Sequence, residues 1–116
     1  MKKGVRVYID DVLECIDKIE EYTEGVGEGE FYENTQIQDA VIRRLEIVGG
    51  AIKNIPEEFR EQYPDIPWRK IAGMRDVLIH GYAGVNLLRV WRVVIDDLPD
   101  LKKRFQEMEG EAWLKS

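Results

Sequence analysis

The sequence predicts an all-α protein, folded as an antiparallel up-down helical bundle with four main helices plus short ones. Apolar residues recur at helical spacing along most of the 116 residues, and no segment alternates apolar and polar residues as a strand does. The connections between the helical segments are short, which favours antiparallel neighbours. We expect one domain over residues 1–110 and a loose C-terminal tail over residues 111–116.

The first helix is predicted to run from Val5 to a point between Tyr22 and Gly25. Cys15 lies at the edge of its apolar stripe, and we expect it to be a small buried hydrophobe. Three glycines within residues 25–30 then predict a flexible loop. The inward stripe of this helix consists of Tyr8, Ile9, Val12, Leu13, Ile16 and Ile19.

The second helix is predicted to run from Thr35 to about Asn54. Thr35 and Gln38 fit a capping box, in which the threonine caps the helix and the glutamine side chain reaches back to the threonine N–H. Gly49 and Gly50 fall inside the helical pattern, where each costs about 1 kcal/mol relative to alanine. A glycine pair in such a place predicts the close approach of another helix or of a partner surface.

Prolines mark the starts of three further segments. Pro56 opens a short turn over residues 57–62, and Pro67 opens a longer helix. Pro99 starts a last segment that ends near Met108.

A break bracketed by Gly81 and Gly84 separates the longer helix from the next one, which Asn86 caps. Both Trp68 and Trp91 fall on inward stripes, so we expect them to be core residues. The inward stripe of the helix capped by Asn86 consists of Leu87, Val90, Trp91, Val94, Ile95 and Leu98.

Composition and charge exclude several classes of protein. With 44% hydrophobic residues, the chain has enough apolar material for one core, which excludes a disordered protein. A net charge of −6 argues against a protein that coats nucleic acid generally, although a local basic site is compatible with it. One cysteine excludes an intramolecular disulfide and a cysteine-only metal site, and one histidine excludes a poly-histidine site. We expect neither a metal nor a cofactor.

The sequence also predicts a cytoplasmic location. No apolar stretch approaches the roughly 18–20 residues that span a bilayer. Residues 1–4 lead directly into a charged, periodic segment and not into the apolar core of a signal peptide.

The single histidine, His80, follows Arg75 by five residues. Histidine titrates at about pH 6.5 and suits acid–base catalysis, and arginine offers a planar fork for phosphate. On a continuous helix the two positions are about 140° apart. They converge only if the helix ends near His80, where Gly81 is well placed to terminate it, or if two copies of the chain pair across a dimer.

Residues 68–92 form the most basic part of the chain. Five cationic side chains against one carboxylate give this segment a net charge of +4, which leaves −10 for the rest of the chain. Either the segment holds an anionic ligand, or its cations occupy the solvated faces of two helices. Tyr82 follows the predicted break between two glycines, where we expect it to be exposed. The cations are Arg69, Lys70, Arg75, Arg89 and Arg92, and the carboxylate is Asp76.

Arg75, His80 and Tyr82 form an Arg-x-x-x-x-His-x-Tyr motif, which resembles the signature of the HepT-like toxins of the HEPN superfamily. The resemblance covers nearly the whole chain, including the acidic first helix and the loop that contains Phe31. Further segments that carry it are residues 38–43, 63–68, 90–91 and 97–99.

The chain departs from the family pattern at two places. The family often has Gly-Glu-Ala on the second helix, where this chain has Gly49-Gly50-Ala51. The residue after the motif arginine is often asparagine in the family, and here it is Asp76.

The resemblance implies a helical bundle that dimerises, with two Arg–His motifs facing each other in a cleft at the interface. It implies a metal-independent endoribonuclease that acts as a toxin. The cognate antitoxin would be a minimal nucleotidyltransferase, which adds AMP to the motif tyrosine, here Tyr82. Arg75 and His80 would be catalytic and Asp76 would support them. The candidates for RNA contacts are Arg69, Lys70, Arg89 and Arg92.

Two other interpretations fit the sequence. One is a non-catalytic helical binding module that serves as substrate or helper of a nucleotidyltransferase. The other is an assembly subunit with a degenerate site. The acidic overall charge favours the binding module, because it slows the encounter with RNA. Tyr82→Phe distinguishes the toxin from the binding module. A toxin with this substitution stays active and escapes its partner, whereas a binding module loses its function.

Overall fold

The computed structural model describes residues 4–80 and 86–109, and for residues 74 and 76–80 it describes the backbone alone. Within these ranges the chain is helical and contains no strand, which confirms the predicted all-α class. The helices are α1 (Val5–Thr23), α2 (Glu28–Glu33), α3 (Thr35–Asn54), α4 (Glu57–Glu61), α5 (Trp68–His80), α6 (Leu87–Arg92) and α7 (Leu98–Glu109), and a π-helical turn (Val93–Asp97) joins α6 to α7.

The long helices pack as a bundle in which α3 lies between α1 and α5, and α7 lies on α1. Lys102 Nζ on α7 is 2.6 Å from Glu20 Oε1 and 3.2 Å from Asp17 Oδ1 on α1. At the far end of α7, a hydrogen bond with Asp10 of α1 raises the pKa of Glu109. Later residues of α7 therefore meet earlier residues of α1, so these two helices are antiparallel.

The apolar stripes of the helices meet in one core. Cys15 is 2% exposed, which confirms its prediction as a buried hydrophobe, and burial raises the pKa of its thiol. Trp68 is buried as predicted, and its Nε1 donates a hydrogen bond of 2.9 Å to the Tyr63 carbonyl oxygen. This bond fixes the start of α5 to the segment before it. The largest fully buried side chains are Phe31, Phe105, Ile9, Ile16, Ile19, Leu45, Ile52, Ile55, Met108, Val12, Val41 and Val48.

The loop predicted over residues 25–30 is shorter than expected, because Glu28–Glu33 form helix α2. Phe31 is fully buried, and its ring centroid lies 5.2 Å from that of the half-buried Trp91. Burial of a large apolar side chain stabilises by about 1.5–3 kcal/mol. That gain offsets the low helix propensity of Gly29 and draws α2 onto α6.

Helix α3 begins at Thr35, but the predicted capping box is wrong. Asn34 is the N-cap, and its Oδ1 accepts a hydrogen bond of 3.1 Å from Ile37 N–H. Gln38 Nε2 donates instead to the Phe31 carbonyl oxygen at 2.8 Å, which ties α3 to α2. Asparagine and threonine are both good N-caps, so the local sequence alone does not select between the two neighbours.

Helix α6 begins as predicted, since Asn86 Oδ1 accepts a hydrogen bond of 3.1 Å from Arg89 N–H. The helix does not stop before Pro99, however, but continues through the π-helical turn into α7. Within that turn Leu98 N–H donates to the carbonyl oxygen of Val93, five residues earlier. The wider turn accommodates the proline, which lacks an N–H and whose ring clashes inside a regular α-helix.

The prediction that Ile95 faces inward is wrong, because this residue is 50% exposed. Ile95 lies within the π-helical turn, which places one more residue in a turn than an α-helix does. An apolar stripe drawn at 3.6 residues per turn therefore loses its register there. Val94 is buried as predicted, and Val93, which is not part of the predicted stripe, is buried as well.

Candidate active site on the motif helix

Arg75 lies where α5 packs closely against α3. A Cβ built on Gly49 would be 2.5 Å from Arg75 Cβ, and one built on Gly50 would be 3.7 Å from Arg75 Nε. The aliphatic part of the arginine thus packs over the glycine pair of α3. This confirms the predicted close approach of another helix and identifies the residue that makes it.

The Arg75 side chain is half-buried. No residue in the described part of the chain forms an ion pair with it. A guanidinium that is held along its stem and that no described residue pairs with is suited to binding an external anion, because its planar fork matches phosphate.

The backbone of α5 is helical through His80, so positions 75 and 80 are about 140° apart around its axis. The side chains of His80 and of Asp76 lie outside the described residues, as do Tyr82 and the break predicted at Gly81. Their roles, and the predicted convergence of Arg75 with His80, stay predictions.

Three of the four candidates for RNA contacts come together in one groove of about 360 Å³. Lys70 from the start of α5 lines it, together with Arg89 and Arg92 of α6. All three are exposed. Arg69 is exposed as well but does not line this groove.

The groove is less basic than the sequence suggested. Asp96 and Asp97 of the π-helical turn also line it, and Lys70 Nζ lies 3.6 Å from Asp97 Oδ2. Three cations and two carboxylates leave a net charge of +1 at this place. Sequence reasoning missed the two carboxylates because they follow directly after the basic segment.

A second groove, of about 270 Å³, shares Lys70 and Arg89 with the first and has an apolar floor that includes Ile66 and Leu101. Its rim holds Arg104, whose Nε is 2.6 Å from Asp65 Oδ2. This ion pair joins residues 39 positions apart, and no local pattern in the sequence indicates it.

The charge of Arg92, which lines the groove, affects the pKa of Tyr32 on α2. Burial is the largest influence on the pKa of the Tyr32 hydroxyl and raises it, and the nearby Arg92 guanidinium offsets part of that rise. Helix α2, which carries Tyr32, packs on α6, which carries Arg92.

No group of three or more histidine, cysteine, aspartate or glutamate side chains is arranged to hold a metal ion in the described part of the chain. No described helix is both long enough and apolar enough to cross a membrane.

A family model described as "Ribonuclease HepT-like" matches residues 12–108. A Thermococcus cleftensis protein named "Probable ribonuclease HepT" is 44% identical over 93% of this chain and 98% of its own length. A Methanocaldococcus jannaschii protein named "Gamma-glutamylcyclotransferase and putative RNase" is 50% identical over 96% of this chain. The chain spans only about half, 50%, of that second relative. No solved structure shows a significant similarity to the chain.

Proposed function

This chain belongs to the HepT-like ribonuclease family, and on that premise we propose that it is an endoribonuclease toxin that cleaves RNA through Arg75 and His80. The observation that carries the proposal is the way in which the Arg75 side chain is held. Its stem packs against α3 at the glycine pair, and its head has no ion-pair partner in the described ranges. An arginine held in this way is ready to bind a phosphate of RNA.

The proposed reaction uses the 2′-OH of RNA as the nucleophile. The ribose 2′-oxygen forms a bond to the adjacent phosphorus, and the bond from phosphorus to the 5′-oxygen of the next nucleotide breaks. One histidine accepts the 2′-OH proton, and a second protonates the leaving 5′-oxygen. Arg75 stabilises the negative charge that develops on the phosphate oxygens. These steps require no metal and no cofactor.

The need for both an acid and a base favours a homodimer. On a helix that continues through His80, positions 75 and 80 are about 140° apart. Two copies of α5 facing each other would supply two histidines to one cleft. Asp76, next to the motif arginine, is proposed to support the orientation of the site.

The RNA backbone is proposed to follow the groove lined by Lys70, Arg89 and Arg92, with Arg69 beside it on the same helix as Lys70. Because Asp97 already pairs with Lys70 at 3.6 Å, the cations of α6, which form no ion pair with a described residue, are expected to contribute most to RNA affinity. Contacts of this kind are electrostatic and weaken as salt concentration rises.

We further propose that a cognate minimal nucleotidyltransferase acts as the antitoxin in the cytoplasm by transferring AMP from ATP to the Tyr82 hydroxyl oxygen, which releases pyrophosphate. AMP adds bulk and negative charge next to the motif. Both would exclude an RNA phosphate from the cleft, by steric overlap and by repulsion.

Cleavage of RNA by the purified chain tests this function. Arg75→Ala and His80→Ala are expected to abolish cleavage while the helical circular dichroism spectrum is retained. Lys103→Ala is the matched control, because it removes an exposed cation on α7 away from the groove, and it should cleave as the wild type does. Tyr82→Phe should cleave normally and resist inactivation by ATP and the transferase.

Two results would contradict the proposal. If unmodified wild-type protein binds RNA or the transferase but cleaves nothing, the chain is a binding module. If Arg75→Ala and His80→Ala cleave as well as Lys103→Ala does, the catalytic groups lie elsewhere.

A further inference from the structure

Helices α3 and α5 meet at a separation that only glycine permits. A Cβ on Gly49 would lie 2.5 Å from Arg75 Cβ and 3.4 Å from Arg75 Cα. Non-bonded carbon atoms pack at about 3.5–4.0 Å. Both of these arginine atoms are fixed to the backbone, so no rotation of the side chain relieves the overlap. A methyl group at position 49 must push the two helices apart by about 1 Å.

We infer that Gly49 is a positioning residue for the motif arginine. It sets how closely α5 approaches α3 and so fixes the height of Arg75 above α3. This inference rests on the proposed ribonuclease function, in which Arg75 contacts the phosphate of RNA. Gly49 itself contacts no substrate and acts only through Arg75.

The neighbouring glycines show that this property is specific to position 49. A Cβ on Gly50 would meet Arg75 Nε at 3.7 Å, which is an ordinary contact with a flexible side chain. A Cβ on Gly73, which lies on α5 two residues before Arg75, would meet nothing within 4 Å. Among the glycines that the structure describes, only Gly49 would bring a Cβ closer than 3.0 Å to another residue.

A displacement of about 1 Å at a catalytic group can lower the rate by about 100-fold. Because Arg75 acts on charge that develops in the transition state, the loss should appear in the rate constant for bound RNA and little in the RNA concentration that gives half the maximal rate.

The first experiment compares Gly49→Ala with Gly73→Ala under single-turnover conditions. We expect Gly49→Ala to lower the maximal cleavage rate by about 100-fold and to change the half-saturating RNA concentration by less than about threefold. Gly73→Ala, the matched control on α5, should keep the wild-type rate. An unchanged maximal rate in Gly49→Ala would overturn the inference.

The second experiment observes Arg75 without reference to cleavage. The Nε–Hε signal of Arg75, identified by its loss in Arg75→Lys, is followed by two-dimensional NMR during titration with inorganic phosphate. We expect Gly49→Ala to move this signal and to weaken its response to phosphate, while Gly73→Ala leaves both unchanged. If the wild type cleaves no RNA and this result still holds, the ribonuclease proposal is wrong and the positioning role stands. An unmoved signal in Gly49→Ala contradicts the positioning role, whether or not the wild type cleaves RNA.

A third measurement covers the case in which Gly49→Ala does not fold. Arg75→Gly removes the Cβ that would lie 2.5 Å from the Cβ of an alanine at position 49. Gly49→Ala should therefore lower the melting temperature when Arg75 is present and leave it unchanged in the Arg75→Gly background. An equal loss in both backgrounds would show that the contact does not limit the approach of the helices.

Discussion

Substituting Gly50 with glutamate tests the position of the Arg75 head. A side chain at this position starts 3.7 Å from Arg75 Nε and 4.0 Å from Arg75 Cδ, so its carboxylate reaches the guanidinium. Replacing a glycine inside a helix gains about 0.5–1 kcal/mol of helix propensity. An ion pair that is partly exposed adds about 0.2–1 kcal/mol. Gly50→Glu should therefore stabilise the fold by about 1–2 kcal/mol, or about 4–8 °C in melting temperature at this chain length.

Gly50→Gln is the matched neutral control, since it gains the helix propensity but forms no ion pair. At low salt, Gly50→Glu should melt about 1–4 °C above Gly50→Gln. The gap should shrink in about 1 M salt, where charges are screened within about 3 Å. It should also disappear in an Arg75→Gln background. Equal melting temperatures at low salt would show that the Arg75 guanidinium does not lie over Gly50.

Two further predictions concern the packing around the site. Phe31→Ala should destabilise the fold by about 3–5 kcal/mol in urea unfolding, because Phe31 is fully buried against Trp91; a loss below about 1 kcal/mol would contradict the anchoring of α2. The hydrogen bond from Arg104 lowers the pKa of Asp65 below its ordinary value of 3.8. Ionised Asp65 therefore stabilises the fold at pH values above 3.8, and this stabilisation is lost as the pH falls through the lowered pKa. Arg104→Gln should therefore flatten the decline of melting temperature below about pH 4, and an unchanged decline would show that the pair does not contribute.

The fold class and the long helices could be predicted from the sequence because they depend on local periodicity. The helix capped by Asn86 was predicted for a local reason too, since an asparagine side chain reaches an N–H only three residues away. Helix α2 could not be predicted, because Phe31 is buried by Trp91, which lies 60 positions later in the sequence. The exposed position of Ile95 depends on a π-helical turn, which breaks the 3.6-residue period on which the prediction was built.

In the candidate site, too, local features could be predicted from the sequence and features that depend on tertiary packing could not. The glycine pair on α3 predicted the close approach of another helix or of a partner surface. Its contact with Arg75 depends on the packing of α5 against α3, which no local pattern in the sequence indicates. Lys70, Arg89 and Arg92 of the basic segment line one groove, and their contact with RNA stays a prediction. The net charge of that place was overestimated, because Asp97 pairs with Lys70 across the groove.

The most direct test of the central claim is the chemistry of the cleaved RNA ends. Wild-type protein, shown by intact mass to carry no AMP, is incubated with RNA in EDTA beside His80→Ala. Attack by the 2′-OH predicts a 2′,3′-cyclic phosphate on one product and a 5′-OH on the other, and neither should form with His80→Ala. Products with a 5′-phosphate, cleavage that EDTA abolishes, or equal cleavage by His80→Ala would contradict the proposed mechanism.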